Sequence, residues 1–364
     1  MNRVRAVLFP LLTVLVVVVA VATACAGDGG DPAATGDAPA TSEGSAAEVV
    51  LVTYDSFALP EAAAQAFTAR TGATIRVVAS GDAGAVLTKA LLSAGAPEGD
   101  VLFGVDSSLA GRVLAEDLLE PFTPTDLDQV PAAVRLPGEL GELLTPVDTG
   151  EVCVIADSEW FAARSIPLPT DLGSLIDPAY RDLLVVQSPV TSSPGLAFLV
   201  GSVARSGEEW PGYWEQLRDN GVRVRPSWDD SYNTDYTVSG GDRPLVVSYA
   251  SSPPAEVVFS EGASETPASV VIEDTCVRQV EYAGVLRGAA NPELARQLVE
   301  FMISPEWQAE LPLTNFVFPV VEGTPLPPVF ERFAVRPADP LEVPADRVAA
   351  ERDAWIERWR TILE

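Results

Sequence analysis

Apolar and polar positions along the chain fall into two rhythms. Compact apolar runs at 49–53 and 101–105 have the length of buried strands, and 74–78 reads as another strand between them. Between them, helical spacing appears at 60–72, where Pro60 opens the segment, Ala64 and Phe67 face one way and Gly72 stops it, and again at 85–92. Asp106-Ser107-Ser108 follows the third run and supplies capping side chains where a helix begins. Further strand-like runs stand at 152–156, 183–186, 222–225, 245–249 and 277–282. Helical spacing returns at 291–301, where Leu294, Leu298, Phe301 and Met302 share a face, and at Ser304-Pro305-Glu306. Near the C-terminus Val348, Trp355, Trp359 and Ile362 recur at the same spacing, and the two tryptophans read as core. Strands alternating with helices predict an α/β architecture.

The runs at 152–156 and 277–282 are far apart, and the stretch between them has strands and helices of its own. That order predicts a second lobe inserted into a first. Residues 48–150 begin lobe 1, residues 151–280 form lobe 2, and residues 281–364 return to lobe 1 and end in helices. Cys153 and Cys276 fall just inside the two crossings.

The N-terminal pattern sets the compartment. Arg3 and Arg5 precede an uncharged stretch, 6–24, rich in Val, Leu and Ala, so residues 1–24 read as a secretory signal. Ala22-Thr23-Ala24-Cys25 resembles a bacterial lipobox, in which Cys25 carries lipid and becomes the first mature residue. An uncleaved anchor of about 20 apolar residues is the other reading. Both place the body outside the cytoplasm. From Cys25 to 47 the chain is mainly Gly, Asp, Ala, Pro, Thr and Ser, a composition expected to form a flexible tether.

Charge and missing residue types narrow the chemistry. A formal net charge of −29 argues against a reader of phosphate backbones and is compatible with a cationic ligand. The chain has no histidine, which removes Ser-His-Asp and Cys-His catalysis and the commonest metal ligand. No catalytic residue, no metal site and no nucleic-acid partner are therefore expected. With Cys25 assigned to lipid, Cys153 and Cys276 remain in an oxidising compartment. A disulfide between them is the expectation, with two buried thiols as the alternative.

Several segments, taken in order, resemble the thiamine-binding proteins of bacterial ABC importers. They are Thr53-Tyr54-Asp55-Ser56-Phe57, Asp100 to Asp106, and Thr191-Ser192-Ser193-Pro194-Gly195. Ser227-Trp228 with Tyr232, Ser248-Tyr249-Ala250-Ser251-Ser252-Pro253, and Phe301 to Trp307 running on to Asn315-Phe316-Val317-Phe318-Pro319 complete the set. The resemblance implies a two-lobed periplasmic-binding-protein-like fold of type II. Each lobe would be a mixed sheet flanked by helices, with a strand hinge and a ligand cleft. Carried over by motif, the ligand contacts are Tyr54, Asp82, Ser192, Trp228, Tyr249 and Phe316, with Asp55, Asp106 and Tyr232 near the same cleft. The resemblance also implies thiamine or thiamine phosphate as a transported ligand, with no cofactor. The implied partners are an ABC importer permease and, through the lipid anchor, the cell membrane. A receptor that docks singly is expected to be a monomer.

The residue types suit that ligand. Thiamine joins a flat aminopyrimidine to a cationic thiazolium, and aromatic faces attract such a ring by roughly 1–2 kcal/mol each when desolvated. Asp82 offers a counter-charge or an acceptor for the amine, and the Ser192 turn offers donors to the hydroxyethyl tail. The chain also departs from the family pattern. Phe316 stands where relatives have Trp, Ala255 where they can carry Tyr, Ala83 where they have Gly after the aspartate, and Val190 where they have Arg. Loss of that arginine predicts a preference for free thiamine over its monophosphate.

Three other readings compete. Iron binders of this superfamily present adjacent tyrosines, often with a histidine, and this chain has neither. A polyamine or another small organic cation would also find carboxylates and aromatics here. A thiamine-degrading enzyme of similar fold needs a cysteine nucleophile, which only a free Cys153 or Cys276 would supply.

Overall fold

A computed structural model describes residues 47–364; the expected signal at 1–24, the lipidated Cys25 and the tether up to residue 46 lie outside the described residues. The chain begins with β1 (Glu48–Thr53), α1 (Glu61–Thr71), β2 (Thr74–Ala79), α2 (Ala83–Leu92) and β3 (Val101–Asp106). β1 pairs in parallel with β2 on one side and β3 on the other, which buries it on both faces and accounts for its unbroken apolar run. Gly72 ends α1 because it takes a φ of 74° and returns its N–H to the Thr68 carbonyl. Asp106 caps the segment after β3 as its sequence suggests, accepting from the Ser108 and Leu109 N–H groups. The winding there is 3-10 over Ala110–Asp117. A two-residue strand, β4 (Leu119–Glu120), and a short helix, α3 (Gly138–Leu143), lead onward.

Two long strands then carry the chain across the molecule. β5 (Thr145–Asp157) and β9 (Ser269–Leu286) pair antiparallel from Thr145 opposite Ala283 to Asp157 opposite Ser269. The apolar runs at 152–156 and 277–282 are the inner parts of these two strands. Between them come α4 (Ser158–Arg164), β6 (Leu184–Gln187), α5 (Ser193–Ser206), α6 (Trp210–Asp219), β7 (Arg223–Arg225), β8 (Leu245–Tyr249) and α7 (Ser252–Phe259). After them come α8 (Pro292–Met302), α9 (Pro305–Gln308), α10 (Leu311–Thr314), β10 (Phe318–Pro319), α11 (Pro328–Phe333) and α12 (Ala345–Leu363). One sheet runs β2-β1-β3-β9-β5-β8-β6-β7, with β4 added to β9 and β10 to β5. The β9/β5 pair therefore stands between two strand sets of separate origin.

The β5/β9 ladder is interrupted twice, between Pro146 and Asp148 and between Val152 and Val154. At the second break the Thr275 hydroxyl accepts from the Val154 N–H at 2.8 Å, and Cys153 and Cys276 are joined in a disulfide. Both cysteines are buried with Ile155, Val185, Tyr236 and Val246. Elsewhere Phe67, Phe103, Phe301, Met302 and Trp307 fill one core, and Phe198, Trp214, Trp355 and Trp359 belong to another. Each such side chain contributes about 1.5–3 kcal/mol by burial. Trp359 meets Trp214 edge to face at 5.8 Å, and α12 packs on both α6 and the 3-10 segment after β3.

Candidate functional site

A cavity of about 660 Å³ lies where the two strand sets face one another, within the usual size for small-molecule sites. Its walls come from strand ends and helix starts on its sides and from the two long strands β5 and β9. Tyr54 follows β1, Asp82 and Ala83 start α2, Asp148 and Gly150 sit on β5, and Tyr249 ends β8. Gln279 and Glu281 project from β9.

Aromatic faces form most of the apolar wall. Trp228 stacks on Tyr232, with centroids 4.8 Å apart and planes at 14°, and Tyr249 lies 6.4 Å from the indole at a tilt of 55°. The Trp228 indole N–H donates to the Ser248 hydroxyl at 2.9 Å, fixing the ring. Tyr232 leaves from a π-helical turn, Asp230–Asp235, an irregularity common at functional sites. Opposite, Tyr54 leans on Phe57 and Phe103. It can do so only beside a glycine, since a Cβ on Gly104 would come within 2.4 Å of its ring. At the mouth Phe316 meets Phe259 at 5.2 Å. Phe316 holds a φ of 53°, a region bulky side chains avoid, and its carbonyl accepts from the Ser251 hydroxyl.

The polar wall is acidic. Asp82, Asp148, Asp229, Glu256 and Glu281 all line the cavity, and among the described residues no arginine or lysine does. Burial raises Asp82 above the usual carboxylate range, against the pull of bonds from Ser192, Ala83 and Trp228. Burial also raises Glu256, Asp229 and the neighbouring Asp106. Glu281 is pushed up to about 7, chiefly by burial, and Asp148 well above its ordinary value, by burial and then by the charge of Glu281. The Tyr54 hydroxyl donates to Glu281 Oε2 at 2.9 Å. Asp148 Oδ1 and Gln279 Oε1 are buried acceptors without a partner. An unpaired buried acceptor is costly, so these two atoms favour a ligand that donates N–H groups.

Several bonds cross the cavity between the strand sets, among them the Ala85 N–H to the Thr191 carbonyl at 3.2 Å. Asp82 Oδ2 accepts from the Trp228 backbone N–H at 3.0 Å, the Ser193 hydroxyl donates to Asp106, and Ser251 reaches Phe316.

Of the residues singled out from sequence, Tyr54, Asp82, Trp228, Tyr232, Tyr249 and Phe316 come together on this wall. Asp55 and Ser192 stand off it. Asp55 is exposed, with its backbone N–H on the Gly81 carbonyl at 2.9 Å. Ser192 is buried as the cap of α5, accepting from Gly195 and bonded to Asp82, while Ser193 takes the place on the wall. Asp106 sits behind Ser193. The sequence reading did not single out Asp148, Gln279, Glu281, Glu256 or Phe259. For Gln279 and Glu281 the signal was polar residues inside the strand-like run at 277–282; Asp148, in Thr-Pro-Val-Asp-Thr-Gly-Glu, gave none. For Phe259 it was helical spacing, since it lies one turn beyond Ala255 on α7 and lines the wall with it.

Residues 98–340 match the family model of bacterial extracellular solute-binding proteins. The chain belongs to that family. This solute-binding protein is 30% identical over 322 residues to the thiamine-binding periplasmic protein of Brucella melitensis, an alignment covering 86% of the chain and 91% of the relative. It is 28% identical over 317 residues to the thiamine-binding periplasmic protein of Escherichia coli K12, covering 86% and 92%. Among solved structures, a periplasmic thiamin binding protein superposes with a TM-score of 0.77 at 27% identity, covering 87% of this chain and 96% of that one. The fold is thus α/β, of the type II periplasmic-binding-protein kind. These relatives of the solute-binding protein are binding proteins by name.

Proposed function

We propose that the chain captures thiamine outside the cytoplasm and delivers it to an ABC importer. The observation that carries this reading is the wall itself: stacked aromatic faces and five carboxyl groups, with no basic side chain among the described residues. A flat heteroaromatic cation satisfies both halves of that wall, the ring by stacking and the charge by the acids. The parallel stack of Trp228 and Tyr232 favours a planar ligand over a linear polyamine. The same lack of basic side chains leaves a phosphate ester without a counter-charge, so free thiamine is the preferred form. Thiamine is cargo here, not a cofactor, and catalysis has no part in the proposal, since the disulfide occupies Cys153 and Cys276.

In this reading residues 48–150 with 281–364 form one lobe, residues 151–280 form the other, and β5 and β9 are the hinge. Ligand contacts from both lobes would bias closure, and the cross-cavity bonds are among those that opening breaks. Cys25 would hold a monomeric receptor at the cell membrane through its lipid, with residues 26–47 as the tether and the permease as docking partner. Asp55 and Ser192 would act behind the wall, Ser192 through Asp82.

Titration of the purified protein with thiamine, followed by tryptophan fluorescence, tests the ligand. Saturable quenching at or below about micromolar thiamine, not reproduced by spermidine, is expected. Trp228→Ala should lower the affinity at least about tenfold, or about 1.4 kcal/mol. An unchanged affinity would remove Trp228 from the site. Tighter calorimetric binding of thiamine monophosphate would refute the preference for the free form.

A further inference from the structure

Stacking and one counter-charge do not account for two acids on the cavity floor. Asp148 on β5 and Glu281 on β9 are direct register partners, placed just beyond the first break in the ladder. They are 1% and 4% exposed, and both line the cavity. Two acids buried side by side are poorly solvated and repel one another when both are ionised, which favours a proton on one of them.

The groups around the pair leave the proton in place. Tyr54, after β1, donates to Glu281 Oε2, and Gln279 on β9 approaches Glu281 Oε1 at 3.4 Å. Asp82 at the start of α2 and Asp106 at the end of β3 add negative field. Tyr249 of β8 is close and neutral. Phe318 and Pro319 of β10, the neighbours of β5 on its other side at this point, carry no charge. Among the described residues neither acid has an arginine or lysine partner. The nearby Arg278 is paired to Glu151 and Glu342 instead.

We propose that the Asp148–Glu281 pair is the cation-accepting subsite of the cavity, holding one shared proton and releasing it to water when a small organic cation is captured. The proposal rests on the reading that the cavity takes such a cation. The exchange balances: one O–H bond breaks, its electrons stay on the carboxyl oxygen, and the proton leaves to the buffer. A singly charged pair becomes doubly charged as a single positive charge arrives, so the net charge of the cavity floor is unchanged. The partnerless Asp148 Oδ1 is the acceptor that remains for an N–H group of the ligand. The raised affinity of both acids for protons puts the exchange near neutral pH.

The test is calorimetric titration with thiamine near neutral pH in buffers of differing ionisation enthalpy. The expected slope is a release of up to one proton per thiamine, with affinity rising as pH rises, by at most about tenfold per unit. Glu281→Gln and Asp148→Asn, which keep side-chain shape, should bring the slope to near zero and flatten the pH dependence. Infrared spectra of the protein without ligand give a second readout that needs no binding. A protonated-carboxyl band that titrates near neutrality and is lost in both variants is expected. Saturable thiamine binding whose heat is independent of buffer overturns the proposal and leaves the ligand reading standing. An infrared band unaltered in both variants also overturns it. Absence of thiamine binding overturns the ligand reading alone; the proton count is then made with spermidine, and a buffer-independent heat there sinks the proposal.

Discussion

Replacing Cys153 and Cys276 together by alanine lowers the unfolding free energy by about 5 kcal/mol. The bond spans a sequence separation of 123 residues, and closing a loop of that size removes about that much chain entropy from the unfolded ensemble. Domains are typically stable by about 5–15 kcal/mol, so the loss is a large part of the whole. It also falls at a point where the β5/β9 ladder is already interrupted between Val152 and Val154. There the covalent bond and the Thr275 hydroxyl stand in for missing ladder bonds. Urea unfolding of the double variant beside the oxidised protein measures the difference. A loss below about 1 kcal/mol would mean that residual structure already restrains the unfolded chain between the two cysteines.

The second large effect is on the pH profile of stability. Glu281 has a folded value of about 7 against an ordinary 4.5, so the folded state binds its proton more tightly than the unfolded state does. Its contribution is complete below about pH 4.5 and is lost as pH rises to about 7. The 2.5 units between those two values correspond to about 3 kcal/mol. Asp148 acts in the same direction. Other buried acids add slopes of their own, so the measurement is a comparison: urea midpoints across this range for the native chain and for Glu281→Gln. The native chain should lose stability relative to the variant as pH rises. Parallel profiles would show that the environment of Glu281 does not favour its proton.

Much of the fold was legible because β1, β3 and β8 are short and buried, so their apolar runs stand out. Helix ends were legible where a cap has a chemical signature, as at Gly72, Asp106 and Ser304. The length of β5 and β9 was not. Asp148 and Glu151 are buried polar residues inside β5, and a reading based on apolar runs starts that strand only after them. The two-residue strands β4 and β10 carry too few positions to show a period. At the site, Trp228, Tyr249 and Phe316 were reached through the family resemblance and not through periodicity or composition. The Asp148–Glu281 pair was invisible because its members meet only through strand register. Ser192 belonged to a legible motif, but a serine before Ser-Pro-Gly serves equally well as a helix cap, and it caps α5.

The contact between Trp214 and Trp359 has a bearing on the timetable of biosynthesis. Trp214 is made long before its partner, and β3 and β5 are made before β9, the strand that lies between them in the sheet. A nascent chain that has reached residue 260 therefore displays an unfinished apolar face on α6 and two unmated strand edges. Neither half can complete its core until the ribosome has delivered residues from 269 onward, and α6 stays uncovered until α12 follows. The native fold is therefore complete only after nearly the whole chain has been made.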